Sequence, residues 1–246
     1  MNFELLKAIW HDEIDSTNSE AMRLLKEGKP QEGTCICARF QTSGKGSRSN
    51  SWQSPPGENL LTSFIVYPPA NCHSQPFVIS KAVALAVHHT IAHFTSLPVE
   101  IKWPNDLLIG GKKAAGILIE NQWLGATWHA AILGIGINVH RQPLDVEHST
   151  SLALTSNTEL EVDSVLHQLQ TQVSLQYTRL CHRDETALSL EYHENLFGRN
   201  DYYSYETAQG ILKAKVVQVC ADGRIELQKS DGAIHTFDLS EARLIY

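Results

Sequence analysis

Lys102-Trp103-Pro104-Asn105-Asp106, followed across Gly110-Gly111 by Lys112, Lys113 and the apolar run Gly116-Ile117-Leu118-Ile119, is the stretch on which the reading of this chain turns. It reads as a strand ending in a stiff corner, an Asn-Asp pair at that corner, and a lysine on the returning strand. Proline fixes its own φ and restricts the residue before it to extended shapes, so Asn105 and Asp106 leave the corner at a defined angle. Carboxylate, amide and ammonium can then converge on one spot, a set suited to phosphate, magnesium and an activated acid. A plain hairpin with charged ends would use the same residues.

Working outward, Lys7 to Ile14 reads as a first strand, and a helix opens at Asp15-Ser16-Thr17-Asn18 and runs to about Gly28. Thr17 and Glu20 have the spacing of a capping box, with Ala21, Leu24 and Leu25 as the buried stripe. Thr34 to Phe40 and Leu60 to Tyr67 read as strands, separated by a long loop from Gln41 to Gly57 that is poor in aliphatics. Loops of that length are usually functional or disordered. Pro76 to Phe94 predicts an apolar helix against the sheet, followed by strands at Glu100–Lys102, Leu107–Ile109, Ala114–Asn121 and Thr127–Val139. Helices are expected over Val162–Leu180 and Glu185–Leu196. Beyond residue 199 the character changes to short strands, Ile211–Val219, Arg224–Gln228 and Ala233–Phe237, turned by Asp222-Gly223 and Asp231-Gly232. The chain is therefore divided into a unit of residues 1–198 and a small β-barrel of residues 199–246.

Composition narrows the field. The 246 residues, 42% hydrophobic and 19% charged, can bury a substantial core. No apolar run approaches membrane-spanning length and the N-terminus has no signal-peptide pattern, so a cytoplasmic protein without membrane contact is expected. A net charge of -7 argues against a broad nucleic-acid surface. Five scattered cysteines fit reduced thiols better than zinc or disulfides, and His89 and His93 lack a third metal ligand.

Three more segments bear on a site. Gly44-Lys45-Gly46-Ser47-Arg48-Ser49-Asn50-Ser51-Trp52 combines glycines that let backbone approach a ligand with two cations, an anion cradle that is neither a Walker loop nor a Rossmann fingerprint. Ser16, Thr17 and Asn18 offer short polar groups at a helix start. Gly134-Ile135-Gly136-Ile137-Asn138 ends an apolar strand with room for something to lie on its backbone.

Taken together, Ser16-Thr17-Asn18, Gln41 through Trp52, Gly57-Glu58-Asn59-Leu60, Lys102 to Asp106, Lys113 to Glu120 and Gly134 to Val139 resemble the biotin protein ligases. The resemblance implies an α+β fold, a mixed and mostly antiparallel sheet flanked by helices like that of class II aminoacyl-tRNA synthetases, with a small C-terminal SH3-like β-barrel. It implies activation of biotin as biotinyl-5'-adenylate and its transfer to a lysine of a biotin carboxyl carrier protein, with ATP, biotin and magnesium, by a monomer or homodimer. Lys113, Asp106 and Asn105 are then the catalytic candidates, Asp106 also as a magnesium contact. Ser16, Thr17, Asn18, Gln41, Gly44, Lys45, Lys113, Gly116, Leu118 and Gly136 are expected at biotin. Lys45, Ser47, Arg48, Trp52, Asn105, Lys113 and Asn138 are expected at ATP, Trp52 by stacking on adenine and Asn138 at an adenine edge. The loop departs from the family's Gly-Arg-Gly-x-x-Gly by Lys45 and Ser49, and lysine lacks arginine's planar fork. The fifteen residues before Ser16 are too few for a helix-turn-helix reading head, so no repressor role is expected. The alternatives are a lipoate-protein ligase, whose doubled arginine and glycine triplet are absent at Ser43-Gly44-Lys45-Gly46, and a non-catalytic biotin or nucleotide sensor.

Overall fold

The computed structural model describes residues 7–28, 30–47, 50–140, 148–156 and 158–245. Seven strands form the main sheet: β1 (Ile9–Ile14), β2 (Cys35–Gln41), β3 (Leu60–Val66), β4 (Val99–Lys102), β5 (Asp106–Ile109), β6 (Lys112–Leu124) and β7 (Thr127–Ile137). Their order is β1-β2-β3-β7-β6-β5-β4, with β1 and β2 parallel and every other pair antiparallel. The parallel pair is joined through α1 (Thr17–Glu27), and α2 (Phe77–Phe94) carries the chain from β3 to the far edge.

Strand alternation sorts the residues of β2, β3 and β7. Ile36, Ile65 and Ile132 pack with Ala21 of α1 on one face, whereas Cys35, Cys37, Phe64 and Leu133 join the larger core beneath α2, α4 (Val162–Cys181) and α5 (Glu185–Glu194). The α1 face also receives Ser63, Gly134 and Gly136, which follow Ile65 and Ile132 at intervals of two. Past the end of α1 that face carries glycine and short polar residues, and there the cavity opens.

Several expectations are corrected. Thr17 and Glu20 form no capping box: Ser16 is the N-cap, without a side-chain bond, while Thr17 turns to Gln41 and Glu20 to Arg23. α2 is long and apolar enough to cross a bilayer by composition, yet most of it is buried inside the protein, which makes it a core helix. The short α3 (Leu152–Ser156) and strands β8 (Tyr203–Thr207) and β12 (Ala242–Ile245) go unseen in the sequence, because segments of four or five residues hold too few repeats for periodicity to register.

β8, β9 (Gly210–Val219), β10 (Ile225–Lys229), β11 (Ile234–Phe237) and β12 make a five-stranded antiparallel sheet in the order β11-β10-β9-β8-β12, as an SH3-like unit requires. Gly223 and Gly232 take φ of +94° and +87° in the two hairpin turns, a region open to glycine at little cost. This sheet is tied to the main body at the motif's own corner, where the indole N–H of Trp103 donates to the Gly223 carbonyl at 2.9 Å. The buried Lys81 ammonium of α2 adds a bond to the Val219 carbonyl at 3.3 Å.

Candidate active site

The corner folds as a turn through a cis Trp103–Pro104 bond. Asn105 is stitched to β6 on both sides: its amide donates to the Ile117 carbonyl, and the Ile117 N–H donates to the Asn105 carbonyl, both at 2.9 Å. Asp106 sits opposite Gly116 and is only 9% exposed. Its Oδ1 lies 2.6 Å from Lys113 Nζ and its Oδ2 3.2 Å from Lys102 Nζ.

Lys113 reaches that carboxylate because of an irregularity in the β5–β6 ladder. Leu107 pairs with Ala115 but Leu108 pairs with Lys113, so Ala114 is the extra residue of a β-bulge. With strict alternation Lys113 would share a face with Ala115 and Ile117; the extra residue turns it to the face of Asp106 and Gly116. Lys112 remains exposed. Two ammoniums around one carboxylate leave this spot locally positive in an acidic chain, which favours an anion.

The other end of the groove is a hydrogen-bond network of hydroxyls and amides. Gln41 Oε1 accepts from the Thr17 N–H at 2.7 Å and lies 3.1 Å from the Thr17 hydroxyl oxygen. The Ser63 hydroxyl lies 2.7 Å from Thr17 Oγ1 and 2.6 Å from Asn18 Oδ1. Ser16 lines the same cavity, its N–H bonded to Asp15 Oδ1. Ser63 escaped the sequence reading, since its only signal is a hydroxyl pair, Thr62-Ser63, inside an otherwise apolar strand. The glycines have specific neighbours: a Cβ on Gly134 would lie 2.3 Å from Asn18 Oδ1, and one on Gly136 or Gly116 would lie 2.5 or 2.7 Å from the Trp52 ring.

The loop meets this groove through Trp52, and here the structure departs from expectation. Backbone bonds from Trp52 N to the Gly44 carbonyl and from Gly46 N to the Asn50 carbonyl fold the segment into a small turn. Gly44 is packed so closely that a Cβ would come within 2.3 Å of the Trp52 carbonyl. The Trp52 indole lies on Gly116 and Gly136, with Lys113 Nζ 5.4 Å from its ring and its own N–H buried without a partner among the described residues. Only about 50 Å³ of the cavity among Thr17, Asn18, Gln41, Trp52, Lys113 and Gly136 is left free. The indole expected at adenine thus lies over Gly116 and Gly136, two glycines expected at biotin, where the absence of a Cβ leaves room for the ring.

The remaining candidates divide. Lys45 stands at the groove with Nζ 3.5 Å from Glu120, and Leu118 lines the groove and accepts weakly from Asn18 through its carbonyl. Ser47 lines a larger neighbouring cleft of about 790 Å³ that also includes Pro104, Asn105, Ile117, Leu118, Phe77 and Asp222. Asn138 acts as a brace: its amide donates to the Thr150 carbonyl at 3.0 Å and holds the chain behind Lys113. Arg48 and Ser49 lie outside the described residues. Both oxygens of Asp106 are occupied by lysines, and among the described residues no cluster of three His, Cys, Asp or Glu could hold a metal ion.

Residues 10–138 match the Biotin/lipoate A/B protein ligase family. The chain is 30% identical over 229 residues to the bifunctional ligase/repressor BirA of Bacillus subtilis (strain 168), covering 91% of this chain and 70% of that protein. It is 34% identical over 132 residues to the biotin–[acetyl-CoA-carboxylase] ligase of Paracoccus denitrificans, covering 52% of this chain and 53% of the other. Its fold matches the biotin protein ligase from Aquifex aeolicus in complex with biotin and ATP with a TM-score of 0.79, over 97% of this chain and 98% of that one, at 24% identity.

Proposed function

The chain belongs to the biotin/lipoate A/B protein ligase family, and from that membership we propose that it is a biotin protein ligase whose chemistry centres on Lys113. A carboxylate oxygen of biotin attacks the α-phosphorus of ATP, the bond to the β-phosphate oxygen breaks, and pyrophosphate leaves. The amine of a carrier-domain lysine then attacks the acyl carbon of biotinyl-5'-adenylate, loses a proton, and expels AMP. Negative charge grows on oxygen in both steps, so a pre-positioned ammonium lowers the barrier most.

The observation that carries this reading is the Lys113–Asp106 pair at the mouth of a groove whose far end is polar. Asp106 orients Lys113 and Lys102, and Asn105 fixes the corner to β6. Since both Asp106 oxygens face ammoniums, the residues present do not fit a protein-held magnesium ion; the metal would travel on the nucleotide phosphates. The cleft beside Asn105 is the open approach for nucleotide and carrier. Trp52 leaves the groove when biotin enters. The two sheets, falling either side of residue 199, support a catalytic unit of residues 1–198 and a small unit of residues 199–246. Five free cysteines are in keeping with a reducing, cytoplasmic setting.

Biotin is favoured over lipoate by the head of the groove. Thr17, Asn18, Gln41 and Ser63 suit a ligand that gives and takes hydrogen bonds, which a ureido ring does and a dithiolane does not. The test is mass spectrometry of a purified acceptor domain after incubation with the protein, ATP, magnesium and biotin. One added biotinyl group, lost in Lys113→Ala and not replaced by lipoyl when lipoate is supplied, is the expected result. Absence of both mass gain and pyrophosphate release with the unaltered chain would leave a non-catalytic binding protein.

A further inference from the structure

We propose that Glu120 is a positioning residue for the ligand head: acting through Asn18, it fixes a hydrogen-bond acceptor toward the groove, and through Lys45 it holds the loop's cation beside it. The proposal rests on the ligase reading and deepens it to how the head is selected. Glu120 belongs to the site face of β6, where Gly116, Leu118 and Glu120 alternate opposite Gly136, Gly134 and Ile132. Its Oε2 accepts from Asn18 Nδ2 at 2.7 Å and its Oε1 lies 3.5 Å from Lys45 Nζ.

An asparagine amide can point either end into a cavity, and its neighbours decide which. Here the nitrogen faces two acceptors, the Glu120 carboxylate and the Leu118 carbonyl at 3.4 Å, while the oxygen lies against the Ser63 hydroxyl. A charged acceptor binds the N–H end more firmly than a neutral one, so the carboxylate sets the direction of the whole Asn18–Ser63–Thr17 chain. Gly134 leaves space for that oxygen, since any Cβ there would lie 2.3 Å from it. The buried Asn18 oxygen, with one lone pair spent on Ser63, can accept an N–H from a ligand head. A ligand without such a donor leaves it unpaired at a cost. The other oxygen of the same carboxylate lies 3.5 Å from Lys45 Nζ, so the loop's cation rests against β6.

The experiment measures pyrophosphate release by the full chain with biotin and ATP varied separately, alongside calorimetric biotin binding. Glu120→Ala is expected to raise the biotin KM about tenfold, with much smaller changes in kcat and in the ATP KM. Asn18→Ala should do the same, and the double variant should lose no more than the worse single one, because both remove one linkage. Glu120→Gln, which keeps size and one acceptor, should fall between, and it carries the test if Glu120→Ala fails to fold. A biotin KM that does not move, equal losses in all parameters, or losses that multiply in the double variant would overturn the proposal. Should the unaltered chain release no pyrophosphate, the ligase reading fails on its own, and calorimetry still decides the role of Glu120.

Discussion

The corner that holds Lys113 and the loop that carries Trp52 face the same groove, yet they are built by different means. The corner is strand: β4, β5 and β6 pair on both sides of it, Asp106 binds two lysines, and Trp103 anchors it to the second sheet. The loop is turn and glycine, held by a few backbone bonds, and its main side-chain anchor is an indole whose N–H has no partner among the described residues. A catalytic charge must stand within tenths of an ångström of the reacting oxygen, and paired strands supply that stiffness. On the ligase reading the indole vacates the groove for biotin, and an unsatisfied buried N–H makes its present seat easier to leave.

Four measurements would sharpen or break that contrast. The largest effect belongs to the fixed half: Lys113→Ala should lower kcat for pyrophosphate release by about 3 to 4 kcal/mol in activation free energy, by analogy with losing an oxyanion donor. A drop below tenfold would mean that charge develops elsewhere. Next comes the shared floor. Gly136→Ala puts a methyl group where the indole now rests and where the vitamin would lie, so calorimetric biotin affinity should fall at least about tenfold. Unaltered affinity would place the vitamin off this surface.

A smaller change is expected in the loop. Trp52→Ala removes the group that fills the groove, so the biotin association rate in stopped-flow should rise several-fold, as a competing closed state disappears. A rate that holds or falls would show that the indole stands clear of the groove in solution. The smallest effect concerns the joint between α5 and the second sheet. His193 accepts the Val219 N–H at 3.0 Å through Nε2, and burial, with Lys81 close by, lowers its pKa below the ordinary 6.5. The folded state therefore keeps His193 neutral where the unfolded chain is protonated. Its contribution is complete above about pH 6.5 and is lost as pH falls toward the depressed folded value. Denaturant midpoints at pH 5.5 and 7.5 should differ modestly in that direction, and by less in His193→Gln.

Much of this could be read along the chain. Lys102 to Asp106 announces the corner, and Gly134-Ile135-Gly136-Ile137 alternates small and large, which signals room on one face of β7. The helix start at Ser16-Thr17-Asn18 was legible as polar, though not its use: Thr17 bonds Gln41 across 24 positions instead of capping. Ser63 and Glu120 were illegible because their meaning lies in Asn18, 45 and 102 positions away. The bracing bond of the Asn138 amide to the Thr150 carbonyl was equally hidden, because it depends on residues 148–150 passing behind it.

Local chemistry thus determined the longer elements, the alternation of their faces and the residue types a nucleotide and an acid would need, since those follow from backbone period and side-chain chemistry within a few residues. Tertiary structure decided where those groups point. The bulge at Ala114 swings Lys113 onto Asp106, and the register of β6 on β7 sets Gly116 beside Gly136 and so makes a seat for Trp52. Register is fixed by pairing between distant segments, and a slip of one residue would send every one of these side chains to the opposite face.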